Sequence, residues 1–247
     1  MGEKYLIANW KMRLPLASSA VLAKKFRNSQ RLAAGHCRVV VCPDFLALPA
    51  VSQILKGSKI FIGAQDCAPE ARGALTGEVS ALDLRQSGAK YVILGHSERR
   101  LLNGESSAMI KQKIKIALEA GLRPIVCLGE SAAKKSAVAA DKYLREEVGR
   151  LLKDCQIKNK ERLLLAYEPV WAISTGQGAA ALPAKEAARR QNLLKKEARR
   201  YLPYFPEVLY GGSVNAANAA AYLAEKDIDG LLVGAASLEL KSFSSLC

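Results

Sequence analysis

The amino-acid sequence predicts an α/β fold in which eight parallel strands alternate with helices, closed as a (β/α)8 barrel or open as a doubly wound sheet. Three observations predict it. Short β-branched or Leu-rich runs recur eight times, on average about 32 residues apart, the size of a strand-helix-strand unit. The runs are near-continuously apolar rather than alternating, as strands are when helices cover one face and a core the other. Helical patterns fill the intervals. No linker, low-complexity tract or shift in composition divides the chain, so residues 1–247 are expected to form a single domain.

The strands follow in order. They are YLIANW from residue 5, RVVVC from 38, IFIGA from 60, YVILG from 91, RPIVCL from 123, RLLLAY from 162, EVLYG from 207 and GLLVG from 230. Between them, residues 106–121 place Met109, Ile110, Lys113, Ile114, Ala117 and Leu118 on one helical stripe, with Gly121 as the stop. Residues 182–202 put Pro183 in a first turn and Leu194, Ala198 and Tyr201 at helical spacing.

Charge is lopsided: 37 Lys+Arg against 23 Asp+Glu, a formal net charge of +14. Such a field attracts anions. The basic run RRQNLLKKEARR (189–200) lies on a predicted helix whose other face is apolar, and few aromatics interleave with basic residues. A solvated exterior therefore explains it better than nucleic acid does, and no nucleic-acid partner is expected. Six cysteines stand at 37, 42, 67, 127, 155 and 247, none spaced as CxxC. The two histidines, His36 and His96, are too few for a three-His zinc site. No disulfide, metal or cofactor is expected. The start MGEKYLIANWKM lacks a signal-peptide pattern, and no apolar run is long enough to span a bilayer. The expectation is a soluble, cytoplasmic protein.

In a (β/α)8 barrel the active site forms at the C-terminal ends of the strands. Those ends read Asn9-Trp10-Lys11, Gly95-His96-Ser97-Glu98, Glu168, Gly211-Gly212-Ser213 and Gly234-Ala235-Ala236. Singly, each has a plain structural reading: a solvated lysine, a hydrogen-bonded histidine, a helix-start carboxylate, a turn. Together on one rim they suit proton abstraction next to a carbonyl. A carboxylate acts as base, an imidazole and an ammonium stabilise the oxygen charge, and small-residue turns with Ser213 hold a phosphate.

The segments ANWKM (8–12), CPDF (42–45), GAQDCAPEARGALTGEVSALDL (63–84), YVILGHSERR (91–100), PIVCLGE (124–130), AYEPVWAISTGQ (166–177), YGGSVN (210–215) and LLVGAASL (231–238) closely resemble the triosephosphate isomerase family over nearly the whole chain. The resemblance implies a closed TIM barrel and interconversion of dihydroxyacetone phosphate and glyceraldehyde 3-phosphate. It implies Glu168 as the base, His96 as the neutral electrophile, Lys11 as the cation for phosphate and enediolate, and Asn9 as a polar partner of the substrate oxygens. Ser174, Ser213, Gly234 and Ala235 resemble the phosphate cradle, and Glu98 and Cys127 resemble residues that support the catalytic pair. The Pro-Val-Trp segment after Glu168 resembles one hinge of a lid whose tip runs through Gly176. The 65–78 loop resembles one that enters a partner subunit, with Thr76 at its tip, so a homodimer is implied.

The chain departs from the family's usual pattern at four places. Ser174 and Ala235 stand where glycine is usual, Arg13 where asparagine is usual, and Asp66 in AQD where AQN is usual. Ala235 is expected to disturb the phosphate site through its Cβ, and Ser174 to be accommodated at a loop tip. Two rival readings are a different sugar-phosphate isomerase on the same barrel and a degenerate paralogue that binds nucleic acid. The pairing of Glu168 with His96 and the short lid oppose the first. Retention of every expected catalytic residue opposes the second.

Overall fold

All eight apolar runs form strands, within a residue or two of their expected limits. A computed structural model of the chain describes residues 3–34, 37–131, 136–157, 162–172 and 181–246. The strands are β1 (Lys4–Asn9), β2 (Cys37–Cys42), β3 (Phe61–Ala64), β4 (Tyr91–Leu94), β5 (Arg123–Leu128), β6 (Leu164–Tyr167), β7 (Glu207–Tyr210) and β8 (Gly230–Val233). They pair in parallel in sequence order, and β8 returns to β1 to close the barrel. The open-sheet alternative is thereby excluded. The helices around it are α1 (Leu16–Arg27), α2 (Gln30–Ala34), α3 (Leu48–Leu55), α4 (Ala81–Gln86), α5 (Ser97–Leu102), α6 (Ser107–Glu119), α7 (Ala137–Leu152), α8 (Ala184–Ala198), α9 (Ala219–Ala224) and α10 (Leu240–Ser244).

Strand alternation builds two cores. Tyr5, Ile7, Ile93, Ile125, Cys127, Leu164, Ala166, Leu209 and Leu232 fill the barrel interior. Leu6, Ala8, Val92, Leu94, Val126, Leu128, Leu165, Tyr167, Leu231 and Val233 pack outward against the helices. Both sets are apolar, which is why the strands show no polar alternation. The same period of two carries the inward rows 5-7-9, 164-166-168 and 232-234 onto Asn9, Glu168 and Gly234 at the C-terminal rim.

Helix ends explain where the sequence reading was off. Ser106 caps α6 by accepting from the Met109 N–H at 3.2 Å, and Gly121 stops it at φ 74°. Pro183 is the N-cap of α8, one position before the expected first turn, and α8 ends at Ala198 rather than near 202. Three basic side chains of the run on α8 are tied to other elements. Arg189 binds Asp141 of α7, Arg190 binds the buried Glu130, and Lys195 binds Asp229 at 2.7 Å. Lys113, on the apolar stripe of α6, is buried and paired to Asp66 (2.7 Å) and Glu105. Among the described residues, no helix is long and apolar enough to cross a membrane.

Candidate active site

Loops at the C-terminal rim enclose a cavity of about 240 Å³ lined by polar groups from strands β1, β4, β6, β7 and β8. Asn9, Lys11, His96, Glu168, Ser213, Gly234 and Ala235 all line it. The sequence therefore brought together every described residue it nominated for contact with substrate. Ser174 lies outside the described residues.

Glu168 follows β6 directly and is 2% exposed. One carboxylate oxygen accepts from the Ser97 backbone N–H at 3.2 Å, and the other lies 3.3 Å from His96 Nε2. Glu168 can lie there because Gly211, at the end of β7, has no side chain: a Cβ on that residue would come within 2.8 Å of Glu168 Cγ. The Cys127 thiol, fully buried inside the barrel, is pushed well above its usual range by burial first and then by the neighbouring Glu168 carboxylate. It stays a thiol and bears on the base from below.

His96 is the N-cap of α5. Its Nδ1 accepts from the Glu98 backbone N–H at 3.3 Å. A ring nitrogen that accepts carries no hydrogen, so the proton of the neutral ring is on Nε2, the nitrogen nearer Glu168. The helix start thus sets the tautomer, and the sequence alone could not have shown this.

Lys11 adopts the left-handed conformation, φ 51°, which is costly for a lysine. Two contacts hold it there. Its N–H donates to Asn9 Oδ1 at 3.1 Å, and its carbonyl accepts from Gln65 Nε2 at 2.9 Å. The ammonium reaches Glu98 at 2.6 Å. Burial alone would raise the Glu98 pKa, but the hydrogen bond and charge of Lys11, with a smaller contribution from Arg13, hold it below the usual carboxylate range.

The phosphate end differs from expectation in two ways. Ala235 opens a 3-10 turn, Ala235–Leu238, and is not in the left-handed region. The backbone strain foreseen for a Cβ there is absent, since only positive φ would have required glycine. The Ser213 N–H is already engaged, donating to the Ala172 carbonyl at 3.0 Å. Ala172 belongs to the 3-10 turn Val170–Ala172, which is also anchored by Trp171 Nε1 donating to Glu130 at 2.9 Å.

Sequence reasoning passed over two residues. Arg13 lines the cavity; it was visible only as a departure from a family pattern. Glu130, at the end of β5, is wholly buried and binds Tyr167, Trp171 and Arg190. It also stands past the end of a strand, but it follows the outward row 126-128-130 toward the helices, whereas Glu168 follows the inward row 164-166-168.

Comparison with known proteins agrees with this geometry. A family model described as triosephosphate isomerase matches residues 4–247. Proteins named triosephosphate isomerase are similar to the chain along its length. That of Bacteroides fragilis is 36% identical, over 100% of this chain and 98% of the relative. That of Symbiobacterium thermophilum is 40% identical, over 100% and 96%. That of Bordetella pertussis is 42% identical, over 97% and 94%. With the model spanning nearly every residue and relatives above one-third identity at full length, the chain belongs to the triosephosphate isomerase family.

Proposed function

We propose that Glu168, His96, Lys11 and Asn9 carry out the interconversion of dihydroxyacetone phosphate and glyceraldehyde 3-phosphate, the isomerase reaction of glycolysis that membership of the family assigns to this chain. The observation that carries this reading is the juxtaposition of Glu168 Oε1 and His96 Nε2, 3.3 Å apart, with both groups lining one cavity. Glu168 takes a proton from the carbon beside the carbonyl. The electron pair moves to the carbonyl oxygen, giving an enediolate. The His96 Nε2–H stabilises that charge and moves a proton between the two oxygens. Glu168 then returns its proton to the neighbouring carbon. Lys11 supplies positive charge to the enediolate and phosphate, and Asn9 orients the substrate oxygens.

Phosphate binding falls to Ser213, Gly234 and Ala235, with Ser174 from the lid. The bond from Ser213 N–H to the Ala172 carbonyl couples the cradle to the lid. When the hinge turn moves, that N–H is released toward the phosphate, so closure and phosphate capture occur together. Glu98 and Cys127 position Lys11 and Glu168.

The 247 residues act as one barrel domain in the cytoplasm, and two copies associate through the 65–78 loop. Exposed apolar side chains follow successive strands at one side of the rim: Met12 after β1, Leu46 after β2, Leu75 after β3 and Leu102 after β4. Surfaces of that kind are usually covered by a partner. A coupled assay with glyceraldehyde 3-phosphate tests the activity, and sedimentation at assay concentrations tests the assembly. Absence of turnover would refute the first, and a fully active monomer the second.

A further inference from the structure

We propose that Arg13 is a substrate-binding residue of this enzyme, a guanidinium at the cavity wall that recruits the phosphate of the triose phosphate. The proposal rests on the isomerase reading above and adds a residue to the binding of its substrate. Arg13 lines the same cavity as Lys11, Ser213, Gly234 and Ala235. It is exposed at the rim, so its head is free to move onto a ligand. Among the described residues it makes no hydrogen bond or ion pair.

Charge balance shows why such a group matters. The Lys11 ammonium is spent on Glu98, 2.6 Å away. Glu168, as the ionised base, adds a second carboxylate, while His96 is neutral. Lys11 alone against Glu98 and Glu168 leaves the site with one surplus negative charge. That is a poor setting for a phosphate dianion. Arg13 cancels the surplus. Its field already reaches the site, since it acts on the Glu98 carboxylate. A guanidinium also matches phosphate geometry through paired N–H donors. The consequence is twofold: faster capture of the dianion and tighter holding of its phosphate, with little effect on the proton transfers.

The test uses the full-length enzyme with Arg13→Gln and Arg13→Lys. For Arg13→Gln, KM for glyceraldehyde 3-phosphate is expected to rise about threefold or more, with a smaller change in kcat. Inorganic phosphate, titrated without turnover, should bind more weakly by a similar factor. The dependence of kcat/KM on ionic strength should flatten. The loss of kcat/KM should be clearly smaller with glyceraldehyde, which has no phosphate, and Arg13→Lys should recover most of it. Unchanged phosphate affinity, or equal losses on both substrates, would overturn the proposal. So would a KM effect that tracks a change in sedimentation, which would place Arg13 at a contact between copies. Failure of the isomerase reading itself is distinguishable, because the unaltered enzyme would then turn over no triose phosphate.

Discussion

Glu130 and Glu168 stand at the ends of neighbouring strands, β5 and β6, and both are buried, yet their surroundings are opposite. Glu130 is surrounded by donors: the Tyr167 hydroxyl at 3.1 Å, Trp171 Nε1 at 2.9 Å and the Arg190 guanidinium. Glu168 receives one backbone N–H at 3.2 Å, from Ser97, and otherwise faces His96 and the cavity. A carboxylate whose lone pairs are all engaged ties elements together. One with lone pairs left over, in a site that excludes most water, can take a proton from carbon. Burial does not distinguish a base from a strut; the face of the sheet and access to the cavity do.

Breaking the comparison at its reactive end gives the largest expected effect. Glu168→Gln removes the proton acceptor and should lower kcat about a thousandfold or more, with the melting temperature little changed. The same change at Glu130 should do the reverse. It weakens the acceptor for Arg190, which is 3% exposed, and should cost about 3 kcal/mol of stability while leaving the chemical step in place. Thermal melts and steady-state kinetics on the two variants, side by side, check both. If Glu130→Gln lost turnover without losing stability, the face of the sheet would be no guide to role.

His96→Gln sharpens the reactive side. Glutamine can donate a hydrogen bond but cannot move a proton between oxygens, so turnover should fall about a hundredfold with the fold intact. Near-normal activity would transfer the electrophile's role to Lys11.

A third buried carboxylate lies between the two extremes. Asp66 binds Lys113 and Arg99, each at 2.7 Å, but its Oδ1 has no partner among the described residues. Desolvation outweighs these cations and raises its pKa to about 6. Glu105, in the same cluster, is held below its usual value despite burial by hydrogen bonds from Lys113 and Arg99. Folded Asp66 therefore keeps a proton at a pH where the unfolded chain has released it. Stability attributable to it is full below about pH 4 and falls as pH rises toward 6. Asp66→Asn, which cannot titrate, should flatten that part of the profile. Melts across this pH range that are identical for both proteins would contradict it.

The smallest expected effect is at Ala235. Because its φ is not positive, Ala235→Gly should leave KM unchanged and cost about 0.4–1 kcal/mol through unfolded-state entropy. A lowered KM would show that the methyl group crowds the phosphate after all.

The sequence made the barrel legible because the strands are apolar on both faces and five of the eight lead into chemically distinctive residues. Asn9, His96, Glu168 and Gly234 could be placed on the rim from strand ends alone. What could not be read depends on partners distant in sequence. The tautomer of His96 is set by the start of α5. The occupied N–H of Ser213 depends on Ala172, 41 positions earlier. The period of two already sets Glu130 on the outward row and Glu168 on the inward one, but the partners that hold Glu130, Arg190 and Trp171, are connected to β5 by no local pattern. The φ of Ala235 could not be read either, because a glycine habit in related chains does not reveal the backbone conformation at that position.

The most direct test of the assignment of Glu168 is the kinetics of Glu168→Asp in the coupled assay. Shortening the side chain withdraws the carboxylate by about one methylene while leaving its charge and the phosphate contacts in place. The predicted result is a fall in kcat of about a hundredfold or more with KM changed by only a small factor. Turnover close to that of the unaltered enzyme, or a loss appearing equally in KM and kcat, would contradict Glu168 as the base.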